Sequence, residues 1–265
     1  MTLNDCLAAG ANGVMIPIET YHALPGLSAS SLKLLGESNR HYDHRHLFDH
    51  EADCLTFGNL VHTATLEPDE LENRYIREPM KFDKRTKNGK IQSQEFYENN
   101  KHLILVEWDT WIDAQRMARN IRAIYPGILN AGIKERSLFA RYDPEIIIKC
   151  RLDIELPTGD DFDLKTITPK HGMGDHELLR HSLQFNYHVS AGFRNIVRRT
   201  LGITTGDSYL IFVSTSPGHM VKVRQLDTDL VKRGEGICRD LLESRSEYLQ
   251  YGFDTDPGVL IEWQK

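Results

Sequence analysis

Apolar residues recur at Ala114, Met117, Ala118, Ile121 and Ile124, the 3.6-residue period of an amphipathic helix over 109–125, and Pro126-Gly127 ends it. Three strand-like runs follow, Ser137 to Tyr142, Glu145 to Leu156 and Asp161 to Thr166, the last two joined by a turn at Pro157-Thr158-Gly159-Asp160. A long helix is predicted over about 176–200, with Leu183, Tyr187, Ser190 and Ala191 as its sheet-facing stripe. SYLIFVST (208–215) reads as a buried strand and HMVKVRQL (219–226) as its alternating partner. A final helix runs from a cap at Asp227 or Thr228 to Tyr251, with Leu230, Ile237, Leu241, Tyr248 and Leu249 on its apolar face. Closely spaced strands suggest a meander, and the crossover helix then allows parallel pairing with 208–215. The expected fold class is α/β: a mixed central sheet flanked by helices in αβββαβ order, with helical additions at the N-terminus.

Composition narrows the class. The chain has 265 residues, 40% hydrophobic and 9% aromatic, with a net charge of -6 and a pI near 6.1. This is not the bulk basic charge of a nucleic-acid coat protein, although a basic patch can coexist with an acidic exterior. No segment reaches the ~20 apolar residues of a membrane span. The first residues carry an acid and no basic stretch, a poor match to a signal peptide. Cysteines at 6, 54, 150 and 238 have no C-x-x-C spacing, which argues against a zinc ribbon or an iron–sulfur cluster. A reducing cytoplasm is the expected setting, with Cys150 a buried thiol.

The densest chemistry lies in CRLDIELPTGDDFDLKT, residues 150–166. Asp163 and Lys165 are two apart on a strand and share a face, while Leu164 points the other way into a core. A hairpin can bring Asp153 beside them. Two carboxylates and an ammonium would then converge, the equipment for metal-assisted phosphodiester hydrolysis. Taken alone, a D-x-K triplet is more often a surface ion pair, since the chain is 26% charged. The apolar hairpin and the third acid upstream change that reading.

Other features are weaker. Residues 56–67 read as a helix ending at Pro68, with Gly58 and His62 on one face; the glycine would let another backbone come close, and a lone histidine is more often structural than a ligand. Residues 28–35 read as a helix start with serine caps. KFDKRTKNGK (81–90) reads as a basic loop, solvated or touching phosphates. HYDHRH (41–46) reads as a solvated helix end rather than a metal site. Gln184 and Tyr187 are three apart and share a helical face, with Arg194, Arg198 and Arg199 further along.

Taken in order, Gly58-x-x-x-His62, Asp153, Asp163-x-Lys165 and Gln184-x-x-Tyr187 resemble the PD-(D/E)xK nucleases of the RecB type, and more closely the nuclease domain of RecE, exonuclease VIII. The resemblance rests on YHALPGLSASSL (21–32), FGNLVHTATLEPDE (57–70), FDKRTKNGK (82–90), CRLD (150–153), FDLKT (162–166) and YHVSAGF (187–193), and spans about 15–250. It implies a single nuclease domain over 1–265: a core of about 109–226, an N-terminal helical part (15–108) contributing His62, and the C-terminal helix 227–251. It implies that Asp153, Asp163 and the Leu164 carbonyl bind metal, that His62 ligates a metal or holds its water, and that Lys165 positions or activates the attacking water. Gln184 and Tyr187 would orient the site and touch DNA. Glu135, just before the strand at 137–142, would supply an outer or second-metal contact, and Lys84, Arg85, Lys87, Lys90 and Arg194 would contact DNA. One or two Mg²⁺ ions (or Mn²⁺) and no iron–sulfur cluster are expected. The resemblance further implies 5′ to 3′ digestion of linear double-stranded DNA from its ends, leaving 3′ single strands for recombination. It also implies a ring-like oligomer, a tetramer, and a RecT-type annealing partner in a bacterial or phage-encoded cytoplasmic system. A catalytically silent DNA-end binding module, or a flap or structure-specific endonuclease of the same superfamily, would share most of these residues.

Overall fold

The computed structural model describes residues 1–47, 53–77, 79, 82 and 85–252. Two short parallel strands, β1 (Tyr75–Arg77) and β2 (Ile104–Val106), pair apart from the main sheet. The main sheet comprises β3 (Ile133–Arg141), β4 (Ile147–Glu155), β5 (Asp161–Ile167), β6 (Ser208–Ser214) and β7 (Val221–Gln225), side by side in that order. β5 and β6 run parallel, and the other neighbours run antiparallel, as the crossover argument requires. Six helices frame the site: α1 (Ala29–Leu35), α2 (Asp53–Leu66), α3 (Trp108–Ile124), α4 (Asp175–Gln184), α5 (Tyr187–Thr200) and α6 (Thr228–Tyr251).

The strands' alternation sorts their side chains into two cores. Leu60, Val61 and Ala64 of α2 and Met117, Ala118 and Ile121 of α3 pack with Phe162, Leu164 and Ile211. Leu32 and Leu35 of α1, Phe193 and Val197 of α5, and Cys238 and Leu241 of α6 pack with Leu138, Ile148 and Leu152. Leu164 therefore enters a core, as its place between Asp163 and Lys165 predicts. Asp227 caps α6 by accepting the amides of Asp229 (2.9 Å) and Leu230 (3.0 Å). Cys150 is buried, and burial pushes its thiol up to about 12.

Several expectations need correction. β3 begins at Ile133, not at 137, so Glu135 lies within the strand rather than before it. The expected helix over 176–200 is two helices. Ser182 Oγ donates back to the Leu178 carbonyl (2.7 Å), α4 stops at Gln184, and Asn186 adopts a left-handed backbone, φ 53°, before α5 starts. Asparagine is among the few residues that tolerate that conformation. Leu183 consequently faces solvent, 43% exposed, rather than the sheet. The second half of the basic 81–90 segment is helical: Thr86 Oγ1 accepts the Gly89 amide (3.0 Å) and caps a helix over Lys87–Asn99. Asn88 and Gly89 therefore lie in a helix rather than in a loop. Lys84 lies outside the described residues. At Gly58 the nearest neighbour of an added Cβ would be the Thr166 side chain at 3.4 Å, an ordinary contact, so no close backbone demands that glycine. Residues 41–43 end a short helix, Asn39–Asp43, with Tyr42 buried and His44 exposed. No helix among the described residues is long and apolar enough to cross a membrane.

Candidate active site

The sheet is opened at one place. β4 and β5 pair only at Ile154 with Phe162 and Glu155 with Asp161. The same register would next set Asp153 opposite Asp163, but the ladder stops there. Instead Asp153 Oδ2 accepts the Leu164 amide at 2.7 Å, so a side chain takes over a strand's hydrogen bond. β4 also changes company at this point: Leu152 packs in the α5–α6 core and Ile154 in the α2–α3 core, although they are two residues apart. On its other side, Lys134 pairs with Ile154 and Arg136 with Leu152, which leaves Glu135 opposite Asp153. Glu135 has φ 55°, a strained backbone for a non-glycine strand residue and a mark of functional positions.

His62 reaches this opening from α2. Its Nε2 lies 2.7 Å from the Leu164 carbonyl oxygen, and its Nδ1 lies 3.6 Å from Asp153 Oδ2. With hydrogen on Nε2 the ring donates to that carbonyl and turns the Nδ1 lone pair toward the carboxylates, the usual way a histidine ligand is oriented. One ligand atom each from His62, Glu135 and Asp153 lie within 4.8 Å of one another. A nitrogen and two carboxylate oxygens suit a divalent cation. These residues therefore fit the divalent cation that the resemblance of the sequence implies.

Asp163 and Lys165 flank the triad on β5. Lys165 Nζ lies 2.7 Å from Asp163 Oδ2, and Arg194 Nη1 lies 3.6 Å from Asp163 Oδ1. Burial would raise the Asp163 carboxyl, but Lys165 and then Arg194 outweigh it and hold it below the usual range. Asp153 goes the other way, raised by burial first and by Asp163 as well, against the pull of His62. Glu135 is pushed up to about 7, by burial and then by Asp153, although Arg151 Nε donates to its Oε2. Three neighbouring acids shifted in different directions, Asp163 down and Asp153 and Glu135 up, make a site that gains from an added cation.

Not every expected residue converges. Tyr187 starts α5 with its ring centroid 5.2 Å from Lys165 Nζ. Burial, and after it Asp163, pushes its phenol well above the usual range, so it stays protonated. Gln184 is exposed at the end of α4 and accepts from Arg180 Nη1 at 3.3 Å; the break puts it and Tyr187 on different helices, not on one face. Arg194 is only 6% exposed, which corrects its expected DNA contact. Its Nε (2.8 Å) and Nη2 (2.6 Å) meet Asp161 Oδ2, so it is a buried brace across Asp161 and Asp163. Arg85, Lys87 and Lys90 are exposed at the start of their helix.

Three contributors escape sequence reasoning. Arg151 holds Glu135 and also donates to the Ile16 carbonyl (2.6 Å) and Glu67 (3.3 Å). Arg198, fully buried, contacts Asp161 (3.4 Å) and Glu155 (3.2 Å) and so ties the β4–β5 turn to α5. Lys33 of α1 donates to the Phe185 carbonyl (3.0 Å) at the helix break, and burial followed by the charge of Lys165 lowers its ammonium. The arginine spacing within CRLD and FRNIVRR was visible, but nothing local says which arginines turn inward.

Comparison with known proteins agrees with this fold. No curated protein matches the chain in sequence. A crystal structure from Eubacterium rectale, of a protein provisionally named an exonuclease, superposes with a TM-score of 0.59 at 13% identity, covering 88% of each chain. At that identity the likeness speaks for the fold alone. The structure of SSO0001 overlaps 70% of this chain and 85% of its own at 11% identity, with a TM-score of 0.28, too distant to bear on the fold. The family model described as a PDDEXK-like domain of unknown function (DUF3799) matches residues 28–250. That span contains α1, the triad, the D-x-K strand and α5, and the chain belongs to this PDDEXK-like family.

Proposed function

We propose that this protein is a metal-dependent DNA exonuclease, digesting linear double-stranded DNA from its ends, 5′ to 3′, and leaving 3′ single strands for recombination by strand annealing. The observation that carries the reading is the opened sheet, where His62, Glu135 and Asp153 stand as one donor set beside Asp163, the Leu164 carbonyl and Lys165. The RecE likeness of the sequence motifs supports the polarity, a ring-like tetramer, a RecT-type partner and a cytoplasmic setting. Mg²⁺ is the favoured ion, one or two per site, with Mn²⁺ as substitute.

A bound divalent cation supplies positive charge at the phosphate and a water of lowered pKa. His62, Glu135 and Asp153 would hold it, with Asp163 beside them, while the Leu164 carbonyl accepts the His62 Nε2–H and so aims the ring. Lys165, 2.7 Å from Asp163 and under the Tyr187 ring, places an ammonium where the attacking water and the anionic transition state need one. Tyr187 keeps that ammonium from swinging away, and Gln184 serves as a DNA contact at the rim. Arg85, Lys87 and Lys90 serve as phosphate contacts further out.

The test uses purified protein, a 5′-labelled linear duplex and a closed circle, with Mg²⁺ and then EDTA. Mg²⁺-dependent release of labelled nucleotide from the linear DNA alone supports the exonuclease. Cutting of the circle would make it an endonuclease, and end binding without product would make it a silent binding module.

A further inference from the structure

Phe185 sits in the helix break between α4 and α5, and 46% of it is exposed. Nothing in the core explains an aromatic ring there. It is not a loose side chain, because its backbone is tied on both sides. Its amide donates to the His181 carbonyl (3.1 Å), and its carbonyl accepts Lys33 Nζ (3.0 Å). The Asn186 amide donates to Leu183 (3.1 Å), which fixes the following turn.

The ring belongs to a run of aromatic contacts that begins in the core and ends at the surface. Phe212, fully buried, lies 6.4 Å from the Tyr187 ring. Tyr187 and Phe185 are stacked, centroids 6.0 Å apart and planes 20° apart. His181 leans on Phe185 at 4.5 Å. Tyr187 is the ring against Lys165 Nζ. Phe185 is therefore one ring removed from the reacting side of the site and shares the orientation of the aromatic that borders it.

We propose that Phe185 is a stacking platform for a nucleobase, receiving the base of an unpaired nucleotide whose phosphate lies at the Lys165 side of the site. The inference rests on the nuclease reading and adds what holds the strand's end. An exposed aromatic face suits a base regardless of its identity, because every base has a π-face. Lys33 Nζ meets the Phe185 carbonyl and Arg180 pairs with Glu177 on the adjoining helix, so what favours a nucleotide over a protein partner is the Lys165 site one ring away. A base that stacks here must leave its own stack in the duplex, so the platform favours frayed or single-stranded ends over paired ones.

The test is an abasic-spacer cycle on the full chain. Anisotropy measures binding of a labelled duplex in Ca²⁺, so binding is read whether or not the DNA is cut. A spacer replaces each of the three terminal nucleotides of either strand in turn. At one position the spacer is expected to weaken wild-type binding roughly tenfold, and Phe185→Ala to weaken binding of intact DNA by a similar factor. At that position the spacer should cost Phe185→Ala nothing further, and Phe185→Trp should bind as wild type. Phe185→Ala binding intact ends as wild type does would overturn the proposal, as would equal spacer losses in both proteins. A change in sedimentation of Phe185→Ala would assign the ring to a protein interface instead. Wild type that binds no DNA end at all would remove the nuclease reading with it.

Discussion

Asp153 Oδ2 accepts the Leu164 amide at 2.7 Å, so one carboxylate both closes the gap between β4 and β5 and joins the donor set with His62 and Glu135. The two duties separate by substitution. Asp153→Asn keeps an oxygen for the Leu164 amide and removes the charge. It should melt within about 1 kcal/mol of wild type, the worth of one net hydrogen bond, yet lose Mn²⁺ binding in calorimetric titration. Asp153→Ala leaves the amide unpaired and should cost a further roughly 1–3 kcal/mol. Equal stability for the two variants would detach the carboxylate from the strand.

Glu135 gives a stability signature in the absence of divalent ions. Its folded pKa, about 7, is above its ordinary 4.5, so the folded protein holds the proton more tightly than the unfolded chain. Its contribution is fully present below about pH 4.5 and is lost as pH rises through about 7. Glu135→Gln should therefore be more stable than wild type at pH 8 in EDTA, by up to about 3 kcal/mol, and about equal at pH 4.5. Arg151 keeps Ile16 and Glu67 as partners in that variant. Urea unfolding at the two pH values reads the difference, and a variant less stable than wild type at pH 8 would contradict it. The same variant should bind Mn²⁺ more weakly, exchanging function for stability.

Arg194 should matter through Asp161 and Asp163 rather than through DNA. Arg194→Met removes the cation that Asp161 and Asp163 share, leaving them Arg198 and Lys165, and should cost roughly 1–3 kcal/mol, read as a lower urea midpoint. The salt dependence of DNA binding should not change, because no phosphate contact is lost. A flatter salt dependence at wild-type stability would return Arg194 to the DNA surface.

Tyr187 should act through its ring. Its phenol stays protonated, so Tyr187→Phe should keep the wild-type pH profile of cleavage. Tyr187→Ala frees Lys165 and uncovers Phe185, and should cut roughly a hundredfold more slowly, the lower range for a misplaced catalytic group. A shifted pH profile in Tyr187→Phe would give the hydroxyl a direct part.

The motif order places His62, Asp153, Asp163, Lys165 and Tyr187 within one region, and periodicity places all five strands of the main sheet. What periodicity cannot see is a change of backbone at a single residue. Asn186 splits a helix whose apolar spacing runs on, and Glu135 takes a left-handed φ inside a strand of ordinary composition. Each meets partners distant in sequence, Lys33 at the break and Arg151 and Asp153 at Glu135. The inward turn of Arg194 and Arg198 has the same origin. Asp161 reads as the first residue of a strand in the sequence, and only the parallel pairing of β5 with β6 buries it where two guanidiniums can reach it.

On the proposed function, the acids and lysine at the opened sheet hydrolyse DNA with a divalent cation. The rate of nucleotide release from a linear duplex in Mg²⁺, wild type against Asp153→Asn, tests it most directly. The expected result is digestion by wild type that EDTA abolishes, and a loss of roughly a thousandfold or more in Asp153→Asn, the scale of removing a transition-state electrostatic contact. Digestion by Asp153→Asn at the wild-type rate would contradict it.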